Sequence, residues 1–433
     1  MSAVIEPPRM QDAAMGQPDH REPGLKVAYM MSRFPKLTET FVLHEMRQLQ
    51  RLGHKVQVWP LQRERTKVMH PEAKPFVEQA NFTGWFSLIY CWSHLLFFCR
   101  NPWIYGGIIL TLLRANWGSR RFLGGAIAFF PKSAYLARQF QRQGIDHIHA
   151  HFASHPAMLA WVIHRLTGIS YSFTAHGSDL HRDQHMLQEK VEAAAAVIAI
   201  SEDNRRMILD ISGSKYAQKV RVVHCGVDGK KFTHRSISAE PTDPSDLFSL
   251  ICIGTLHEVK GQQYLLEACL KLVEAGHDIV CHLVGDGEDR ASLEEIARPL
   301  GDRVQFHGRK TGAEVGKLLH EADLLVAPSV PTANGRREGI PVVLMEALSS
   351  GIPVVASDLS GIPELVRHEQ TGLLAPPRDA VALADAIERM MNDHPLRLRL
   401  ADAGYHFVRQ EFDLKMNTTR LADIFQECAS VSC

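Results

Sequence analysis

Between Leu25 and Ser357, short apolar runs of strand type alternate with stretches of helical apolar spacing, and the whole series occurs twice. No other feature narrows the fold as much, because strand–helix–strand at this length reads as a parallel βαβ unit. The first run, LKVAYMMS, leads through the loop RFPKLTE into TFVLHEMRQLQRLGHKV. There Phe41, Met46, Leu49 and Leu52 recur near helical spacing until Gly53 stops the helix. KVQVW, IDHIHAHFA, YSFTAHGSDL, AAVIAIS and VRVVHCGVD carry the strands onward. The second series opens at FSLICIG and passes through IVCHLVGDG, VQFHG and LLVAPS to PVVAS. Two helical stretches, DAVALADAIERMMND and PLRLRLADAGYHFVRQEF, and a final DLKMNTTRLADIFQEC close the chain. The expectation is an α/β protein of two Rossmann-like, doubly wound parallel-sheet domains, with ligands at the carboxyl ends of the strands.

The boundaries follow from composition. Residues 1–24 are rich in Pro, Gln, Asp and Gly, lack the apolar core of a signal peptide, and read as a disordered leader. The first domain takes 25–235, and SISAEPTDPSD (236–246) reads as a linker. The second domain takes 247–411, and 412–433 reads as a helix returning toward the first. Lys+Arg and Asp+Glu both number 48, so no global field argues for nucleic acid. The eight cysteines form no CxxC pair, and several sit in apolar runs. Reduced, buried thiols in a cytoplasmic protein are the expectation.

Residues 82–113 are the most apolar part of the chain, split by Arg100-Asn101-Pro102 into runs of 18 and 11 residues. Neither run reaches the roughly 20 apolar residues that span a bilayer. Two readings stand: a pair of buried or partner-covered helices, or a patch on the inner face of the cytoplasmic membrane. Trp85, Trp92, Trp103, Arg114, Arg120 and Arg121 favour the second.

The stretch RREGIPVVLMEAL sets Glu338 and Glu346 eight positions apart. Pro341 suits a first helical position, which starts a helix near Ile340 with Glu338 and Gly339 just before it. The amides there make an anion site, and Gly339 permits close approach. Were the span helical, the carboxylates would lie about 12 Å apart along the axis. That exceeds the roughly 6.5–9.5 Å of two acids flanking one scissile bond. It suits a diphosphate flanked by two hydroxylated groups, since carboxylates accept hydrogen bonds from diols. Lys260-Gly261 falls in the turn after FSLICIG, where a lysine can reach a phosphate. Gly285 and Gly287 read as turn formers. His147, His149 and His151 would share a strand face, but the sequence brings no carboxylate or cysteine to complete a metal site there. No DxD-type pair is placed to hold a metal, and no GxGxxG follows the first strand of either domain, which disfavours a dinucleotide oxidoreductase.

Taken together, HAHFASHPAMLAW, FTAHGSDL, AISED, HCGVDGKKF, GTLHEVKGQQYLLEA, LVGDGEDRASLE and QFHGRKTGAEV resemble the retaining glycosyltransferases of family four, from about residue 25 to about 425. SRFPKLTETFVLHEMRQLQRLGHKV and REGIPVVLMEAL look like the branch that builds bacterial exopolysaccharides such as colanic acid. The resemblance implies a GT-B fold, two domains facing a cleft, and transfer of a sugar from a nucleotide-diphosphate sugar to a saccharide or lipid-linked acceptor. It implies no metal or other cofactor. It places Lys260 on the donor diphosphate beside Gly254, Gly261, Gly339 and Ile340, and Glu346 on the ribose. Glu338 falls on the transferred sugar, His176 near the anomeric centre, the turn at Gly308 beside the base, and Asp179 on the acceptor side. Catalytic roles fall to His176, Glu338 and Lys260. The family pattern has Arg where this chain has Thr255; Arg336, Arg337, Arg309 and Lys310 are the cations that could substitute. A nucleotide-sugar epimerase and a non-catalytic donor-binding subunit are the alternatives on the same fold.

Overall fold

The computed structural model describes residues 24–430 apart from 37–38, 65–68, 70, 86, 182, 233 and 236–246. The leader, except Gly24, and the linker therefore lie outside the described residues. The first sheet holds β1 (Lys26–Phe34), β2 (Lys55–Arg63), β3 (His147–His151), β4 (Ser170–Ala175), β5 (Ala196–Ala199) and β6 (Val220–Val222). The second holds β7 (Phe248–Ile253), β8 (Ile279–Val284), β9 (Val304–Gly308), β10 (Leu324–Ala327), β11 (Val354–Ser357) and β12 (Leu373–Ala375). Their orders are β2-β1-β3-β4-β5-β6 and β12-β11-β10-β7-β8-β9. Every pairing is parallel. The outcome is the expected α/β fold of two doubly wound sheets.

Parallel strands covered on both faces need continuous apolar runs, and the period of two divides each run between two cores. In β1, Ala28 and Met30 enter one cluster and Val27, Tyr29 and Met31 the other. In β7, Leu250 and Cys252 face one cluster and Ile251 the other. The helix Leu414–Ser430 leaves the second domain and packs Leu421, Ile424 and Phe425 against Val27, Tyr29 and Met46 of the first. It thereby covers the face of β3 that carries the histidines, with the Phe425 ring 5.0 Å from His147 and 4.8 Å from His149.

Several details depart from the sequence reading. β12 is only three residues long, too short to show a period, and escapes the apolar-run criterion. Pro341 is extended (φ −61°, ψ 126°) and caps the helix Val342–Ser349 from outside, so the helix begins later than Ile340. The segment 82–113 does form two helices, Leu88–Arg100 and Pro102–Ala115, but they are not buried. Cys91 and Cys99 lie on them and are exposed, against the expectation for the thiols; Cys252, Cys269 and Cys281 are buried. Among the described residues no single helix is long and apolar enough to cross a membrane, and the two helices meet at a bend of 117°.

Candidate active site

The carboxyl ends of the second sheet carry a row of glycines. Gly254 follows β7, Gly285 follows β8, and Gly308 ends β9; Gly254 N–H donates to Val284 O and Gly285 N–H to Gly308 O, both at 2.9 Å. A Cβ on Gly285 would stand 1.9 Å from Gly254 O, and one on Gly254 would press on the Lys260 stem at 3.1 Å. These residues are small because strand ends and a lysine stem cross there. Gly261 has φ +66°, and a Cβ there would meet Pro328 O at 1.9 Å. Lys260 thus leaves a fixed turn, and its Nζ donates to Glu338 Oε2 at 2.6 Å. Both side chains are about one-fifth exposed, at 22% and 18%.

Glu338 and Gly339 precede the helix Val342–Ser349, whose first turn carries no acid and no capping side chain. No side chain caps its amide end, which carries the positive end of the helix dipole. Glu346 lies one turn further on and half-buried; desolvation pushes its carboxyl up to about 7. Gly308 stands on the edge strand near Arg290, linked to Lys260 only through Gly285 and Gly254. Of the cations named for the missing arginine, Arg336 reaches the β7 loop, its Nη1 3.3 Å from His257 Nε2. Arg309 lies 3.9 Å from Asp286, and Lys310 3.5 Å from Glu314 in the helix Gly312–Glu321 that follows it. Arg337 instead acts electrostatically on His181 of the first domain.

The first domain's half of the site rests on a buried polar ladder. β3 and β4 pair with His147 opposite Ser170, His149 opposite Ser172 and His151 opposite Thr174. His147 Nδ1 and Nε2 lie 2.8 and 2.7 Å from Ser170 and Ser172 Oγ. His149 Nδ1 and Nε2 lie 2.8 and 3.1 Å from Ser172 Oγ and Thr174 Oγ1. Burial holds His147 down at about 3 and His149 well below the usual imidazole range. The ladder ends differently. His151 Nε2–H donates to Glu45 Oε1 at 2.9 Å, an oxygen that also accepts from Tyr29 O–H at 2.6 Å. With that ring carrying one proton, His151 Nδ1 accepts from His176 Nε2–H at 3.3 Å. The chain of bonds Tyr29–Glu45–His151–His176 fixes the His176 ring and leaves its Nδ1 as the acceptor. Phe41 and Phe152 flank that ring at 4.9 and 4.6 Å.

Glu45 therefore supplies the carboxylate that the sequence seemed to lack. Its ligand atom and those of His149 and His151 lie within 4.8 Å of one another, yet hydroxyls and neighbouring side chains already occupy those atoms. The signal was present: Glu45 follows Phe41 by four residues and Val42 by three, which puts an acid on the inward stripe of its helix. Asp179 is buried and turned inward. Its Oδ2 accepts from Ala153 N–H at 2.5 Å, pinning the loop after β3, and burial pushes the carboxyl up to about 7.

The two halves touch. A Cβ on Gly177, the residue after His176, would stand 2.8 Å from Gly339 N and 3.2 Å from Glu338 C. His176, Lys260, Glu338 and Gly339 thus share one cleft between the sheets' carboxyl ends.

A family model described as Glycosyltransferase Family 4 matches residues 38–231, and one described as Glycosyl transferases group 1 matches 248–393. The chain is 30% identical over 385 residues to WcaL of Escherichia coli K12, a glycosyltransferase named for colanic acid biosynthesis, covering 84% of this chain and 90% of WcaL. It belongs to the family 4 glycosyltransferases. This glycosyltransferase is also 32% identical over 267 residues to AmsK of Erwinia amylovora, named for amylovoran biosynthesis, covering 59% of this chain and 63% of AmsK. The structure of Anabaena HepE, solved in complex with UDP, superposes with TM-score 0.68 at 18% identity over 93% of this chain and all of that one. That likeness establishes the glycosyltransferase's GT-B fold.

Proposed function

We propose that this glycosyltransferase moves a sugar from a nucleotide-diphosphate sugar to a saccharide or lipid-linked saccharide in exopolysaccharide assembly, with retention at the anomeric carbon. The observation that carries the reading is the meeting of Lys260, Glu338 and the Gly339 helix start with His176 across one cleft. The names of WcaL and AmsK support the exopolysaccharide setting, and the UDP in HepE supports the donor class.

In this reading the diphosphate lies against the amide end of Val342–Ser349. Glu346 accepts from the ribose diol, Glu338 from the sugar hydroxyls, and the glycine turn ending at Gly308 flanks the base. The entering diphosphate takes Lys260 from its ion pair with Glu338. The bond from the anomeric carbon to the diphosphate oxygen breaks, and the acceptor oxygen bonds to the same face. The acceptor's proton passes to the departing diphosphate. Lys260 and the helix dipole are fixed positive features facing the charge that grows there, so the step asks for no bound metal. His176, held by His151 and Glu45, packs against the reacting carbon with its Nδ1 as acceptor. Arg336 stands in for the cation missing at Thr255.

The test is a thermal-shift screen of nucleotide sugars, followed by assay of nucleoside diphosphate release with and without oligosaccharide acceptors. Release that depends on the acceptor supports transfer. Conversion of the donor without an acceptor supports an epimerase, and binding without turnover across a broad acceptor panel supports a donor-binding subunit.

A further inference from the structure

Fourteen of the sixteen large hydrophobic side chains exposed among the described residues fall between Trp85 and Ile127. Leu88 and Trp103 are each 89% exposed and Trp117 75%. The helices Leu88–Arg100 and Pro102–Ala115 press only a narrow stripe inward, Tyr90 and Phe97 from one and Ile108 and Leu112 from the other. The remainder faces outward, an apolar area of a kind soluble monomers seldom leave bare.

The charge around this face chooses its partner. From residue 79 to 145 the chain has no Asp or Glu, although 48 acids in 433 residues would place about seven in such a stretch at the average frequency. The same stretch carries seven cations, among them Arg100, Arg114, Arg120 and Arg121 at or near the ends of the outward helices. A second copy packed on the face by a two-fold axis would set arginine against arginine with no carboxylate from residues 79–145 between them, and the neighbouring Asp183 is already bonded to Ser119 and His185. An anionic bilayer supplies the opposite charge and attracts surface arginines. Four of the chain's six tryptophans, Trp85, Trp92, Trp103 and Trp117, lie on this face, and tryptophan favours the bilayer interface. Neither helix is long enough to span alone, and the 117° bend between them allows both to lie along the surface.

We infer that the face formed by Leu88–Ala115 and Trp117–Ile127 seats this glycosyltransferase on an anionic membrane surface. The inference deepens the reading of a lipid-linked acceptor and rests on it only for its purpose. Beside the face a broad depression of about 890 Å³ is lined by Arg120, Arg121, His181 and His185. The carbonyl of His181 faces Gly335 in the loop leading to Glu338, close enough that a Cβ on Gly335 would stand 3.1 Å from it. An acceptor headgroup at the bilayer plane therefore enters beside the cleft.

The experiment is flotation of the purified full-length protein with phosphatidylglycerol vesicles and with phosphatidylcholine vesicles. At least tenfold more protein should float with the anionic vesicles, and high salt should release it. The variant Trp92→Ser/Trp103→Ser/Leu110→Ser should lose at least tenfold in flotation while binding UDP as the unaltered protein does. UDP binding thus separates failure of the membrane face from failure of the donor site. Brominated lipids, which need no variant, should quench the tryptophan emission of the unaltered protein. Absence of flotation and quenching, equal flotation of the variant, or sedimentation showing a dimer that the variant abolishes would each overturn the inference.

Discussion

The two halves of the cleft are built by opposite means. On the first domain, His176 ends a ladder of buried rings and hydroxyls, and its partner His151 is bonded in turn to Glu45. On the second, Lys260 and Glu338 are a single ion pair about one-fifth exposed, on a glycine turn and just ahead of a helix. Buried networks are costly to leave half-satisfied and so are rigid, whereas a partly exposed pair is worth little and can be exchanged. The contrast assigns geometry to the first domain and charge to the second: one side is set before the ligand arrives, and the other is completed by it.

The largest effect should come from the exchangeable side. Lys260→Ala removes the cation bonded to Glu338 among the described residues, and kcat/KM should fall by about 10²–10³. Tm should change little, because the pair it breaks is partly exposed, at 22% and 18%. Glu338→Gln tests the exchange itself. It should lower kcat severely yet tighten binding of the bare nucleoside diphosphate several-fold, since Lys260 no longer has a carboxylate to leave. Titration calorimetry checks this; weaker diphosphate binding in Glu338→Gln would show that the pair does not compete with the ligand.

The rigid side should respond differently. Glu45→Gln keeps the shape but puts a neutral amide oxygen in place of the charged acceptor that orients His151, and about 10–100-fold in kcat is expected, as for groups that orient a site residue. KM for the donor should hold, because the grip belongs to the second domain. A rise in KM with kcat unchanged would break the division of labour. Burial already holds His176 well below the usual imidazole range, so the variant's pH profile near neutrality should keep its shape while its height drops.

What the sequence discloses follows the same division. Parallel strands and the helices between them were readable because continuous apolar runs and helical spacing are local properties, and Lys260, Gly261, Glu338 and Gly339 lie in short stretches with their own turn and helix-start chemistry. Glu45 was not singled out, because its role appears only when a helix near residue 40 meets a strand near 150. The shared face of the three histidines was legible as a period of two, but their pairing with Ser170, Ser172 and Thr174 depends on the register of β3 and β4. The position of Asp179, turned toward Ala153, and the outward face of 88–115 likewise depend on packing that spacing alone does not carry.

Glu346 sharpens the comparison from within the second domain. Burial raises its carboxyl from 4.5 to about 7, so its ionisation opposes folding, and that cost grows as pH rises from 4.5 to about 7. A diol needs the carboxylate form as acceptor. Donor affinity should therefore increase with pH up to about 7 and level off above it, with binding at pH 6 about tenfold weaker than the plateau. Glu346→Gln should flatten the profile. A donor affinity that stays constant from pH 5.5 to 8 would remove Glu346 from the ribose.

The smallest effect concerns what holds the halves in register. Glu364 of the second domain reaches into the first, where its carboxylate accepts from Glu202 N–H at 2.9 Å, Asp203 N–H at 3.1 Å and His224 Nε2 at 3.2 Å. It thus caps the helix Glu202–Ser212 across the domain boundary, beside Gly361, whose Cβ would stand 2.8 Å from Ser201 Cβ. Burial raises this carboxyl, but His224 and the two amides outweigh it, so the net shift is downward. The sign follows: the stabilisation is complete above the ordinary carboxyl range and is lost as pH falls through the lowered value. Glu364→Gln should cost about 1 kcal/mol, the worth of a helix cap, seen as a Tm lower by a few degrees at pH 7. The gap between variant and unaltered protein should close in acid. If the gap persisted at low pH, the cap would be acting by shape rather than charge, and the first domain's rigidity would end at its own boundary instead of extending through Glu364 to the mobile pair.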